Sequence, residues 1–253
     1  MIDIDCSILE NKQVASSTFM LVLEYSKDIS WRPGQFVMLR LTEGMDPFLR
    51  RPFSILGLHN ERLEILYRAR GKATRMLSRM NKGEELKVLG PLGNGFSEPQ
   101  ENDKVIYVAG GIGLPPVLAL AAMTGRGYFV LGAKTRGEIP ILERVKGISG
   151  IEVRLATEDG SMGEKGTVIP HLEKLISGIG AGCNVYACGP APMLKIVSEM
   201  CIAKGARCEV SLEERMGCGF GVCHGCTVNT LDGARLVCKD GPCFDASKIV
   251  WRV

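Results

Sequence analysis

Charge of one sign is what this 253-residue chain most plainly lacks: 31 Lys and Arg against 28 Asp and Glu leave a net charge of +3. So small an excess, with no basic run interleaved with aromatics, argues against a nucleic-acid partner. Long apolar runs are also missing, and no uninterrupted stretch would span a bilayer as a helix. The opening MIDIDCSILENKQ has neither the basic start nor the apolar centre of a signal peptide, so a cytoplasmic location is expected. Histidine is scarce, at three. His59 and His171 have no companions that suggest catalysis, and no carboxylate constellation replaces them, so no catalytic residue is assigned. Repeats and low-complexity segments are absent. The 45% hydrophobic and 23% charged fractions are ordinary for a globular chain, and the length allows one to three domains.

Cysteine is the residue present in excess, at ten. The chain is too long, and its cysteines too clustered, for a small disulfide scaffold. Half of them crowd the C-terminal end: Cys218, Cys223, Cys226, Cys238 and Cys243. The first three are spaced C-x4-C-x2-C, the plant-type 2Fe–2S pattern, in which thiolates hold the irons and hydrogen bonds to sulfur tune the potential. Gly219 and Gly221 let the loop fold tightly and aim N–H groups at sulfur. Four cysteines also satisfy tetrahedral zinc. Zinc sites, however, usually pair two short knuckles, whereas Cys238 stands alone. Cys6, Cys183, Cys201 and Cys208 are scattered and read as small core residues. His224 lies among enough thiols to need no ligand role.

The chain changes character twice. Residues 1–98 read as an antiparallel β-barrel domain, with short β-rich runs at 35–41, 53–58, 62–69 and 85–90 separated by Gly, Pro and Asn. A helix over 73–80 interrupts them, with Met76, Leu77 and Met80 on one face. Residues 99–209 alternate apolar strands (104–111, 128–134, 151–157, 184–189) with helical segments (117–123, 171–176, 191–204). This predicts a parallel-sheet α/β domain with helices on both faces. From about 210 to 253 the glycine- and cysteine-rich composition continues neither pattern and predicts a small cluster-binding domain. The fold class is therefore multidomain, β followed by α/β.

Gly110-Gly111-Ile112-Gly113 sits between a strand and a helix, where glycines allow a pyrophosphate to approach backbone N–H groups. It lacks the third glycine of the dinucleotide fingerprint, and a plain glycine turn fits the motif equally well. Two further strand ends lie on the same expected edge: Thr157-Glu158-Asp159-Gly160 and Cys188-Gly189-Pro190. An acidic residue there bonds a ribose 2′-hydroxyl and repels a 2′-phosphate, so Glu158 favours NAD over NADP. Lys134 and Arg136 argue the other way. In the first domain, Arg51-Pro52-Phe53-Ser54 suits an anion-binding strand edge. Arg68, Gly71 and Thr74, near the helix start, form a second phosphate signal. Taken alone, the segment reads better as Thr74 capping the helix and Arg68 lying on a solvated face.

The order of these pieces resembles the ferredoxin-reductase family of flavin enzymes, in which the barrel binds FAD and the second domain a nicotinamide nucleotide. With the appended C-x4-C-x2-C-x11-C, it is similar to the family of electron-transfer subunits of dihydroorotate dehydrogenase B. The resemblance spans essentially the whole chain, including Gly90–Phe96 at the domain junction and the residues flanking the cysteines. It implies flavin contacts at Arg51, Pro52, Phe53, Ser54, Leu66, Tyr67, Arg68, Gly71, Ala73 and Thr74. It places NAD, as co-substrate, at Gly111, Gly113, Glu158, Cys188, Gly189 and Pro190. The 2Fe–2S ligands fall on Cys218, Cys223, Cys226 and Cys238, with Cys243 left as a buried thiol. Ala73 stands where that family usually has glycine. The implied partner is an FMN-containing dihydroorotate dehydrogenase catalytic subunit, in a heterotetramer of two of each, with neither membrane nor nucleic acid. The same cofactors would serve a hydrogenase, a sulfur reductase or a ferredoxin.

Overall fold

The computed structural model describes residues 2–25 and 30–251. The barrel is built from β1 (Ile2–Ala15), β2 (Thr18–Glu24), β3 (Phe36–Arg40), β4 (Arg51–His59), β5 (Arg62–Arg68) and β6 (Glu85–Leu92), with α1 (Lys72–Leu77) between the last two. The strands close in the order β1-β2-β5-β4-β3-β6, every neighbouring pair antiparallel. The first two strands add to those expected. Ile4, Cys6 and Ile8 alternate with polar residues, the mark of a half-buried strand, and Cys6 and Ile8 are buried in the barrel core. Helix α1 is shorter than expected. Ala73 and Leu77, four residues apart, form its buried face, while Met76, next to Leu77 and so about 100° round the axis, is exposed.

The second domain runs β7 (Val105–Gly110), α2 (Leu114–Thr124), β8 (Gly127–Ala133), α3 (Leu142–Lys146), β9 (Ile151–Thr157), β10 (Glu164–Lys165), α4 (Ile169–Ile179), β11 (Asn184–Cys188), α5 (Ala191–Ala203) and β12 (Arg207–Ser211). After it come the hairpin β13 (Thr227–Thr230) and β14 (Gly233–Leu236), then β15 (Cys243–Asp245). The sheet has seven strands in the order β10-β9-β8-β7-β11-β12-β15. All its pairs are parallel except the last, where β15 lies antiparallel to β12. The C-terminal segment is therefore not wholly separate: it returns to the sheet and finishes its edge.

Side chains along β7 alternate between two cores. Ile106 and Val108 join α4 and α5, whereas Val105, Tyr107 and Ala109 join α2 and the barrel. Helix α2 is buried from Leu114 through Ala121, as expected of a helix apolar on all sides. It packs between the sheet and β4, and Leu56 and Leu66 of the barrel share its core with Val117 and Leu118. Burying one such leucine is worth about 1.5–3 kcal/mol, so this seam holds the two domains in one relation. The ion pair of Arg144 with Glu64, at 2.6 Å, flanks it. Among the described residues no helix is long and apolar enough to cross a membrane.

Asn11 ties β1 to β5 and to the end of α1. It donates to Leu77 O at 2.8 Å and Met80 O at 2.9 Å, and accepts from Tyr67 Oη at 2.9 Å. Asn11→Ala strands all three groups. It should lower unfolding stability by about 2 kcal/mol, read as a fall in the urea midpoint with an unchanged slope.

Candidate functional site

A cavity of about 760 Å³ opens where the barrel, the carboxyl edge of the sheet and the C-terminal segment meet. The barrel contributes Phe36, Pro52, Phe53, Ser54, Leu66, Tyr67 and Arg68 to it. Ile112, Pro115, Lys134 and Cys188 come from the second domain, and Ser211, Glu213, Met216 and Pro242 from the C-terminal side. The strand pairing explains the first group: Ser54 lies opposite Phe36, and Pro52 opposite Met38, at the mouth of the barrel.

Not every expected flavin residue turns its side chain to this space. Tyr67 is buried, stacks on Phe19 and gives its hydroxyl to Asn11, so its ring belongs to the barrel core. Arg51 donates to the carbonyls of Leu49, at 2.6 Å, and Arg50. Thr74 Oγ1 accepts from the N–H groups of Arg70, at 2.9 Å, and Gly71, at 3.0 Å, closing the start of α1 as a capping residue does. A Cβ on Gly71 would meet nothing within 4 Å, and Ala73 is buried beneath that turn. Arg68 reaches the other way, to Glu138 beyond β8, at 3.2 Å.

The nucleotide-side residues assemble by backbone contact. The turn Gly111–Gly113 follows β7, and Cys188 ends the neighbouring β11. A Cβ on Gly113 would lie 2.5 Å from Cys188 O, so only glycine permits this approach to the Cys188-Gly189-Pro190 turn. Glu158 is exposed at the end of β9, two strands from β7, and its N–H donates to Ala133 O. Asp159 beside it is occupied by Ser161, whose N–H and hydroxyl both bond its carboxylate. Those bonds hold its carboxyl below the ordinary value.

Glu213 was not among the expected site residues. Its side chain keeps access to solvent at the cavity rim, where the protein on either side partly desolvates it and pushes its carboxyl up from the ordinary value. Its only sequence signal was its place five residues before the first cluster cysteine.

The four cysteines expected as ligands come together in two pairs. Hairpin β13–β14 pairs Thr227 with Leu236 and so sets Cys226 and Cys238, just outside its two ends, side by side. The eleven residues between them are the hairpin, Thr227 to Leu236, and Val237. Cys238 N donates to Cys226 Sγ at 3.4 Å, and both residues are buried. Burial, then the neighbouring Cys226 thiol, pushes Cys238 up to about 12. In the other pair, the N–H groups of Val222, at 3.3 Å, and Cys223, at 3.4 Å, point at Cys218 Sγ. Burial opposes ionisation of Cys218, but these N–H groups and that of Phe220 outweigh it and bring the thiol down to about 6.

Thiols in two pairs, one buried and one with sulfur already solvated by backbone N–H groups, fit a two-iron cluster in their chemistry. Among the described residues no three His, Cys, Asp or Glu side chains form a ready single-ion site. Cys243 lies elsewhere, on β15 opposite Ser211, with its sulfur against Gly34 of the barrel. The cluster loop rests on the barrel too. Gly219 has φ +85°, and a Cβ there would lie 2.6 Å from Met38 Cγ.

Solved structures define the class. The chain superposes with a TM-score of 0.86 on a chain from a study of NADH-dependent reduced ferredoxin-NADP oxidoreductase, at 28% identity, covering 97% of this chain and 90% of that one. A ferredoxin NADP+ reductase from Neisseria gonorrhoeae with bound FAD and NADP shares the fold, with a TM-score of 0.70 at 17% identity over 83% of this chain and 99% of that one. The fold is thus that of the ferredoxin-reductase-like flavoenzymes.

The sequence comparisons go further. Residues 213–250 match the family model for the iron-sulfur cluster binding domain of dihydroorotate dehydrogenase B. The dihydroorotate dehydrogenase B (NAD(+)) electron transfer subunit of Caldanaerobacter subterraneus subsp. tengcongensis is 38% identical over 250 residues, 96% of this chain and 97% of that one. Its counterpart from Clostridium acetobutylicum is 36% identical over 247 residues, 96% and 95% of the two chains. The chain belongs to this family of dihydroorotate dehydrogenase B electron transfer subunits.

Replacing Cys238 with Ser should abolish the visible absorption of the cluster and the bound iron, while Cys243→Ser retains both. Iron and sulfide analysis of anaerobically purified protein checks the pair; the opposite result would make Cys243 the fourth ligand.

Proposed function

We propose that this chain is the electron-transfer subunit of an NAD-dependent dihydroorotate dehydrogenase of pyrimidine biosynthesis. The observation that supports this most directly is the shared location of three sites. Pro52, Phe53 and Ser54 of the barrel and Ile112 and Cys188 of the sheet edge line one cavity, and Cys226 and Cys238 share an apolar core with Phe36 of its wall. We read the units as residues 1–98, 99–209 and 210–253. Bound FAD supplies the switch between hydride exchange with a nicotinamide and single-electron exchange with a 2Fe–2S cluster.

The chain's own residues do the positioning. Pro52, Phe53 and Ser54 line the mouth on the barrel side and would orient the flavin, with Arg51 and Thr74 as the residues that would hold its phosphates. Gly111, Gly113 and the Cys188-Gly189-Pro190 turn shape the facing nucleotide site, and Glu158 is set for the ribose hydroxyls. Cys218, Cys223, Cys226 and Cys238 hold the irons. Phe36, Met38 and Leu212 share one apolar core with Cys226 and Cys238, so the space between cluster and cavity is packed with side chains rather than water. Glu213 sets a carboxyl at the cavity edge, raised from its ordinary value by partial desolvation.

A catalytic partner subunit completes the enzyme, and we assign it the FMN and the dihydroorotate chemistry, in an assembly of two of each chain in the cytoplasm. Phe220 at 43% and Val222 at 70% exposure, on the cluster loop, are the apolar groups such a partner would cover. The purified subunit should oxidise NADH with an artificial acceptor and should not reduce NAD with dihydroorotate. Adding the catalytic subunit should restore that second reaction. A native partner that does not oxidise dihydroorotate would reject the pathway assignment.

A further inference from the structure

Arg68 ends β5 at the mouth of the barrel, and its guanidinium crosses the cavity edge to the second domain. Its Nη2 lies 3.2 Å from Glu138 Oε2, in the short 3-10 turn Arg136–Glu138 after β8. The same Nη2 is the one heavy atom near the open side of Gly111, 3.8 Å from where a Cβ would stand. The guanidinium therefore faces both the turn that opens α2 and the carboxylate beyond the adjacent strand. The pair is shielded, with side chains 30% and 25% exposed. Arg68 Nε is buried and has no hydrogen-bond partner. A planar fork of five donors is thus committed to a single carboxylate oxygen, at a strand edge where nucleotides bind.

The geometry points to Arg68 as the cation that holds the diphosphate of the nicotinamide nucleotide, with Glu138 an internal carboxylate that occupies the guanidinium until the diphosphate displaces it. This rests on the NAD reading above. A phosphate accepts two parallel bonds from a guanidinium, which would also satisfy Nε, whereas Glu138 leaves Nε unpaired. Without a nucleotide, the carboxylate spares the shielded guanidinium from standing unpaired. The arrangement lowers apparent affinity, because the ligand must first displace a competitor. Other charges at the cavity do not span the gap in this way: Arg70 and Arg75 belong to the barrel side, Lys134 to the sheet, and Glu213 and Glu214 to the C-terminal side. The turn bearing Glu138 stays anchored when the pair opens, because Ser16 N donates to Gly137 O at 2.8 Å.

The test is calorimetric titration of the flavin-loaded protein with ADP-ribose, which carries the diphosphate without the nicotinamide, and with adenosine, which lacks it. In Glu138→Gln, ADP-ribose should bind about two- to fivefold tighter, the scale of a lost competing ion pair, and adenosine should be unchanged. Arg68→Lys should weaken ADP-ribose while flavin per chain stays the same, and added to Glu138→Gln it should cancel the gain. Unchanged or weaker ADP-ribose binding in Glu138→Gln overturns the inference and leaves the functional reading intact. Flavin loss in Arg68→Lys with ADP-ribose affinity unchanged would also overturn it, returning Arg68 to the flavin. If the parent protein binds neither ADP-ribose nor NADH, the NAD reading itself fails.

Discussion

The apolar seam between α2 and the barrel is the contact on which the rest of the molecule depends. The helix begins at the glycine turn proposed for the nucleotide, and its flank packs on β4, whose first residues are Arg51 to Ser54. One rigid contact therefore sets the spacing between the start of β4 and the glycine turn. Because α2 is apolar on nearly every side, it has no solvated face along which to slide. Packed interiors resist small displacements, so the cavity between the two domains has a defined width before anything enters it.

The cluster side obeys a different rule. Its thiols are placed by local chain geometry: a hairpin for Cys226 and Cys238, a tight loop for Cys218 and Cys223. The contact of Gly219 on Met38, the packing of Cys226 and Cys238 into the shared core, and the bonds of Asn94 to the carbonyls of Lys239, Asp240 and Gly241 tie that geometry to the barrel. Met38 lies opposite Pro52 on β4. The barrel wall thus carries Pro52, at the cavity mouth, on one strand and supports the cysteine loop from the next.

Much of this was legible in the sequence because the physical signals were local. Continuous apolar strands such as Val105–Gly110 announce a sheet buried on both faces, and the spacing of four cysteines is that of one loop and one hairpin. The first strand was harder, since its inward residues Cys6 and Ile8 alternate with charged and polar ones. Side-chain direction was not legible at all. Nothing in Tyr67-Arg68 says that the tyrosine turns inward to Asn11 while the arginine crosses to Glu138, 70 residues later, because that choice is made by tertiary neighbours. Glu213 was passed over for a related reason: its environment is created by segments distant in the chain.

The return of β15 to the sheet links metal chemistry to solubility. Strand β12 would otherwise present a row of unpaired N–H and C=O groups, the template on which chains join edge to edge. What covers it is a three-residue strand that follows the last cluster ligand by only a few residues. The segment that holds the irons is thus also the lid on the sheet's sticky edge. A chain whose C-terminal segment has come undone loses its electron carrier and exposes an aggregation-prone border in the same event, so cofactor assembly acts as a quality check on the fold.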